Sequence, residues 1–158
     1  MIWLLLALYQ IKHFVADYLL QGKYMLGKFK PFPAFILPLT AHCAVHAVFT
    51  FLIAICFKGL GFAIFLALLD AGIHFAVDRV KASPEMLGRF QPLTKGEYPT
   101  VLQMSMGIMP VPIEVSEHSA KVQWAKDRLK SNVWFWWSIG LDQMAHHFTH
   151  YFIIWMLL

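Results

Sequence analysis

The sequence predicts an all-α integral membrane protein, an antiparallel four-helix bundle with one long cytoplasmic connection between its third and fourth helices. Three observations predict it. The 158 residues are 59% hydrophobic and only 14% charged, with a mean hydropathy of +0.58, a balance that soluble domains seldom carry. Four apolar stretches, 2–20, 34–57, 59–80 and 133–158, are long enough to cross a bilayer as helices. Lysine and arginine gather beside those stretches rather than along them. The length suits one membrane domain covering 1–158.

Each element follows from local signals. No basic region precedes the first apolar run and no small-residue cleavage site follows it, so it is expected to stay in the membrane as a helix. Lys12, His13 and Asp17 dilute it. Pro31 and Pro33 precede the second stretch, and Pro38 falls in its first turns or kinks it. Cys43 and Cys56 lie thirteen residues apart in that stretch, without the spacing of a zinc knuckle or disulfide framework, and read as small buried hydrophobes. "KGLG" at 58–61 is a tight turn into the third stretch. The connection 82–132 holds Pro84, Pro92, Pro99, Pro110 and Pro112. Within it "VLQMSMGIMPVPIEV" is apolar but short and proline-broken, and reads as interfacial or re-entrant. "SEHSAKVQWAKDRLK" reads as an amphipathic helix beginning near Ser116 and leading into the fourth stretch. The "WFWW" run at 134–137 is an interfacial aromatic belt.

Charge sets the orientation. Lys23, Lys28 and Lys30 lie in the connection 22–33. Arg79, Lys81, Arg89, Lys95, Lys121, Lys126, Arg128 and Lys130 lie at or in 82–132, and only Lys58 lies opposite. The positive-inside rule then places both basic connections in the cytoplasm and both termini outside. The excess of +4 is accounted for by topology, so nucleic acid is not an expected partner.

The unusual feature is the ionisable content of the spans. Asp17, Asp70, Asp78 and Asp142 lie in them, with seven of the eight histidines: His13, His42, His46, His74, His146, His147 and His150. One charge at the bilayer centre costs about 2.5–3.5 kcal/mol on insertion scales, so four uncompensated aspartates would approach the stability of a small domain. Spacing suggests the compensation. Residues at i and i+4 share a helix face, and His13/Asp17, His42/His46, Asp70/His74, His74/Asp78, Asp142/His146 and His146/His150 all obey that spacing. Random placement would give about one such pair. At about 1.5 Å per residue, the sets from all four spans reach one level, roughly 10–18 Å from the cytoplasmic flank.

Imidazoles and carboxylates at this spacing chelate divalent transition metals, with zinc expected and iron or manganese also suited. The candidate ligands are His13, Asp17, His42, His46, His74, Asp78, Asp142 and His146, too many for one tetrahedral ion and about right for two. Gln21, Gln143 and His150 fit positions that orient ligand imidazoles from behind, as does Asp70, which is also the candidate general base. His147 lies off the Asp142 face and reads as packing or support, His118 reads as an ordinary loop histidine, and Lys12 faces a polar crevice or pairs with an acid.

"HFVADYLLQ", "HCAVH", "HFAVDRVK" and "DQMAHH", in that order, resemble an uncharacterised family of small polytopic membrane proteins of bacteria and their phages, domain of unknown function 3307. The resemblance rests on His13, Asp17, Gln21, His42, His46, His74, Asp78, Asp142, Gln143 and His146. There is also a distant likeness to bacterial inner-membrane proteins described as metal-dependent hydrolases. The resemblance implies a multi-pass protein of the bacterial inner membrane and supplies no activity.

The functional expectation is an intramembrane metal-dependent hydrolase with one or two ions in the cytoplasmic half of the bilayer. A membrane-embedded or lipid-like substrate is expected, and homo-oligomerisation is left open. The alternatives are a metal-ion or proton transporter and an interaction protein whose metal site is structural. Beyond the motifs, the outer half of the spans offers little besides Gln10 and Thr50, which leans against a conduit. No glycine-rich phosphate loop is present.

Overall fold

A computed structural model describes residues 1–83 and 131–158, together with 86, 123, 124 and 127. The sequence-based expectations for the rest of 82–132, including the interfacial stretch and His118, lie outside the described residues. Gln123, Trp124 and Asp127, within the expected amphipathic helix, are helical, and Gln123 donates to Asp127 at 2.9 Å.

The described residues are all-α. Helix α1 covers Ile2–Phe14, α2 Ile36–Ile55, α3 Leu60–Ala82 and α4 Val133–Leu157. A π-helical turn, Val15–Leu19, continues α1 almost to the expected end of the first stretch. A 3₁₀ segment, Met25–Phe29, follows before α2. Two helices, α2 and α3, combine the length and hydropathy of a membrane span. Helix α1 is 13 residues long before its π turn. Helix α4 has the length, with 25 residues, but its aspartate, glutamine and three histidines dilute it.

Local chemistry sets the boundaries. Pro38 is the third residue of α2, where a missing N–H costs no intrahelical bond. Gly59 caps α3 after the expected turn. The Asn132 side chain caps α4 by accepting from the Trp134 N–H at 3.0 Å. Trp134, Trp136 and Trp137 are exposed, as an aromatic belt requires. Cys43 is buried, whereas Cys56, just past the end of α2, is exposed. Both are free thiols. Gly27 is needed where it stands, because a Cβ there would lie 2.8 Å from Cγ of Pro38. That close approach seats the 3₁₀ segment against the start of α2 and carries Lys28 inward.

All four helices contribute to one apolar cluster: Leu5 and Tyr9 from α1, Ala54 from α2, Ala63 and Leu66 from α3, and Ile153, Ile154 and Leu157 from α4. In each helix the polar buried residues lie on the other side of this cluster along the axis. Meanwhile Trp3, Ile11, Phe14, Leu37, Leu52, Leu68, Phe148 and Trp155 face outward. Three aspartates, two lysines and six histidines are buried while these large apolar side chains are outside, an arrangement unusual in a water-soluble protein.

Candidate metal centre

The buried polar groups form a column running along three helices at i, i+4, i+8. These are His42, His46 and Thr50 on α2, Asp70, His74 and Asp78 on α3, and Asp142, His146 and His150 on α4. Helix α1 adds Lys12 and His13, and its π turn adds Asp17. A π turn widens the helix and re-aims the residue it carries, which is why such turns recur at functional sites. Here Asp17 reaches three imidazoles. Its Oδ2 lies 3.1 Å from His13 Nε2, and its Oδ1 lies 3.0 Å from His46 Nε2 and 3.3 Å from His42 Nε2.

The column has three tiers: an upper one of Lys12, Thr50, Asp70 and His150, a middle one of convergent imidazoles and carboxylates, and a lower one where Lys81 and Gln143 meet Asp142. In the middle one the Nε2 atoms of five imidazoles turn inward. His42 Nε2 stands 3.3 Å from each of three atoms: Asp17 Oδ1, Asp78 Oδ2 and His74 Nε2. His146 Nε2 is 3.4 Å from both Asp78 Oδ1 and Asp142 Oδ1. The rings of His46, His74 and His146 lie face to face, with centroids 3.7 and 3.9 Å apart. Two sets of donors emerge. In one, single donor atoms of Asp17, His42, His46 and His74 all lie within 4.8 Å of one another; in the other the same holds for His74, Asp78 and His146.

These sets could hold a metal ion, on three grounds. Ligands about 2.0–2.1 Å from a tetrahedral ion stand about 3.3–3.4 Å apart, the spacing seen around His42. Two imidazole nitrogens facing each other at 3.3 Å need a proton or a cation between them. The buried His146 Nε2 stands 3.4 Å from two carboxylate oxygens without a well-aligned hydrogen bond to either, a placement that a cation among them would satisfy. The sets overlap at His74, whose Nε2 has one lone pair and serves one ion. Assigning His74 to the second set leaves two triads of equal composition: Asp17, His42 and His46, then His74, Asp78 and His146. Two imidazoles and one carboxylate are a donor set common to zinc and non-haem iron centres.

The other expected residues fall around these triads. Gln143 Oε1 accepts from His13 Nε2 at 2.9 Å, while its Nε2 donates to Asp142 Oδ2 at 3.1 Å. His13 Nε2 therefore faces two acceptor oxygens and carries its proton there. Expected as a ligand, it instead orients Asp17. Asp142 also stands beside the triads rather than in them. Gln21 is half-buried, and no hydrogen bond joins it to the column among the described residues. His147 Nδ1 pairs with Gln10 Nε2 at 3.3 Å, a supporting place.

Asp70 differs most from its expected role as general base. Its Oδ2 accepts from Lys12 Nζ and from Thr50 Oγ1, both at 2.6 Å, and Lys12 Nζ also lies 3.2 Å from His150 Nε2. That oxygen is committed to a salt bridge and a hydroxyl, away from both donor sets. Lys12 thus pairs with an acid, as one of its two sequence readings has it. Lys28 and Lys81, read from sequence only as topology markers, make the same kind of contact. Lys28 Nζ lies 2.7 Å from Asp78 Oδ2, and Lys81 Nζ lies 2.6 Å from Asp142 Oδ2. Only hindsight finds a signal for Lys81, which sits one turn beyond Asp78; none exists for Lys28.

The lysines change the charge argument. Four carboxylates, Asp17, Asp70, Asp78 and Asp142, meet three ammonium groups, Lys12, Lys28 and Lys81. Among the described residues Asp17 is the carboxylate with no lysine in ion-pair contact, at the centre of the first triad. One divalent ion nearly balances the column; two would leave it positive and suited to an anion.

Beside Asp142 lies a cavity of about 390 Å³ between α3 and α4, within the range of small-molecule sites. Ala76, Val77, Val80, Leu141 and Ala145 line it, with Lys81, Ser138 and Asp142 at its polar edge. Compared with protein-family models, curated proteins and solved structures, the chain matches none.

Proposed function

We propose that this chain is a polytopic protein of a bacterial inner membrane, an antiparallel four-helix bundle, that acts as a metal-dependent hydrolase, and that it belongs with the family of unknown function its motifs resemble. Support for the bundle comes from the shared apolar cluster, which takes the early residues of α1 and α3 and the late residues of α2 and α4. Support for the membrane comes from the inverted distribution of polar and apolar side chains. The basic flanks give the orientation, with 22–33 and 82–132 cytoplasmic and both termini outside.

The convergence of six donors in the middle tier carries the metal reading. Asp17, His42 and His46 would hold one ion, and His74, Asp78 and His146 a second, with zinc the best match and iron or manganese compatible. A bound ion supplies a water acidified toward neutrality and polarises the bond to be split. The chain's own groups do the rest. His13 fixes Asp17, Lys28 fixes Asp78, and Gln143 ties His13 to Asp142. Asp142 Oδ1 is buried without a hydrogen-bond partner among the described residues and borders the cavity. It lies 3.4 Å from His146 Nε2 and at the cavity edge, whereas Asp70 lines neither the cavity nor a donor set, so Asp142 is the carboxylate nearer to where a substrate would sit.

The transport reading fares worse on one observation. Past Thr50, Asp70 and His150 the column meets Leu5, Ala54, Leu66 and Ile153, all buried, so among the described residues the Tyr9 hydroxyl is the only polar side-chain group in this cluster. The test is elemental analysis of the full chain purified in detergent without chelators. One or two transition-metal ions per chain are expected, falling in Asp78→Asn. Wild-type protein with no metal overturns the reading. An Asp78→Asn protein that loses metal and fold together points to a structural site instead.

A further inference from the structure

We propose that the groove between α3 and α4 seats one acyl chain of an anionic phospholipid from the surrounding bilayer, presenting its phosphodiester headgroup to the centre at Asp142. This rests on the hydrolase reading and names its substrate class.

Three features point to that occupant. The walls, Ala76, Val77, Val80, Leu141 and Ala145, are small or aliphatic and offer an acyl chain nothing to hydrogen-bond. The groove is polar only where Lys81, Ser138 and Asp142 stand, so an amphiphile has one way to lie in it. That edge adjoins the second triad, because Asp142 Oδ1 is 3.4 Å from His146 Nε2. The surroundings are basic. Lys81 and Arg79 end α3, Arg79 stacks over Phe35 at 3.6 Å and reaches the Lys30 carbonyl at 3.5 Å, and Lys23, Lys28 and Lys30 belong to the adjoining connection. Clustered lysine and arginine at a membrane flank favour anionic headgroups. Hydrolysis there would transfer a water oxygen to phosphorus as the bond from phosphorus to the leaving oxygen breaks, the water's proton ending on that oxygen.

Native mass spectrometry of the full chain, extracted from vesicles of phosphatidylcholine with phosphatidylglycerol, tests this, with metal measured on the same samples. Wild-type chain should retain one phosphatidylglycerol in preference to phosphatidylcholine. Ala145→Trp, which fills the groove, should lose the lipid peak and keep wild-type metal content. Ala76→Leu should do the same in part, should the larger side chain prevent folding. Lys81→Gln should retain lipid without the preference for phosphatidylglycerol. Unchanged lipid retention in Ala145→Trp overturns the proposal, as does a change of oligomeric state in its place, which would make a second copy the occupant. Metal absent throughout with lipid still groove-dependent overturns the hydrolase reading and leaves the groove; lipid absent with metal present overturns the groove alone.

Discussion

The upper and middle tiers of the polar column use the same residue types in the same buried setting, yet they are satisfied in different ways. In the upper tier the charges of Lys12 and Asp70 answer each other directly, with an ammonium and a hydroxyl on one carboxylate oxygen, while Asp70 Oδ1 and His150 Nδ1 have no hydrogen-bond partner among the described residues. In the middle tier imidazole nitrogens crowd two carboxylates and one another at 3.0–3.4 Å. Lys28 reaches Asp78, but among the described residues no lysine reaches Asp17. A tier closed by its own salt bridge has a structural duty. A tier of convergent donors short of one positive charge is suited to hold an ion.

The largest expected effect tests the closed tier. Lys12→Met leaves Asp70 charged and buried, and breaking a buried pair from one side costs about 3–5 kcal/mol. Unfolding in detergent should show that loss with or without added zinc. Replacing both partners, Lys12→Met with Asp70→Leu, should recover most of it, because well-packed apolar pairs often match buried ion pairs. If Asp70 acted as a base in turnover, the double variant would be folded and inactive for want of that carboxylate, and the division of labour between the tiers would fail.

Next comes His74→Ala, which removes the imidazole common to both donor sets. Partners behind a ligand are worth about 10–100-fold in metal affinity, so a ligand itself should cost more than about 100-fold. Zinc titration should show that loss while the unfolding midpoint of the metal-free chain moves little. A metal-free chain that unfolds as readily as Lys12→Met would mean that the middle tier is also a structural device.

Much of this contrast was legible in the sequence, and the illegible part has a physical cause. Spacing at i, i+4 placed His42, His46, His74, Asp78 and His146 on inward faces, because a regular helix turns position into direction. The same rule brought Asp17 into a donor set but put His13 there too, where it supports Asp17 instead. A π turn intervenes at Val15–Leu19, and Gln143 on a distant helix settles which nitrogen of His13 carries the proton. The partners of Lys28 and Lys81 were invisible for another reason. A lysine side chain spans more than a helical turn, so its charge acts far from its own position, and periodicity registers only where the backbone is. Lys28 shows this most plainly: it reaches Asp78 from a 3₁₀ segment held in place by the contact of Gly27 with Pro38.

A smaller effect sharpens the assignment of supporting residues. Gln143→Ala frees His13 Nε2 and Asp142 Oδ2 from a shared amide. Zinc affinity should fall about 10–100-fold with the fold intact. Gln21→Ala, outside the column's hydrogen bonds, should leave affinity unchanged. Equal losses in both would show that Gln143 has no particular hold on the centre.

The smallest effect separates two ion pairs of the same length. Lys12–Asp70 and Lys81–Asp142 both measure 2.6 Å, but the Lys12 side chain is 1% exposed and that of Lys81 26%. Distance alone predicts equal value; solvent predicts otherwise. The Lys81 side chain is partly open, so its pair is screened more than Lys12–Asp70, and Gln143 still donates to the same carboxylate oxygen once the partner is gone. Lys81→Met should therefore cost about 1 kcal/mol or less, several-fold below Lys12→Met, in the same unfolding measurement. Matching losses would mean that the flank around Asp142 is as dry as the interior, and the open edge assigned to the α3–α4 groove would then be closed.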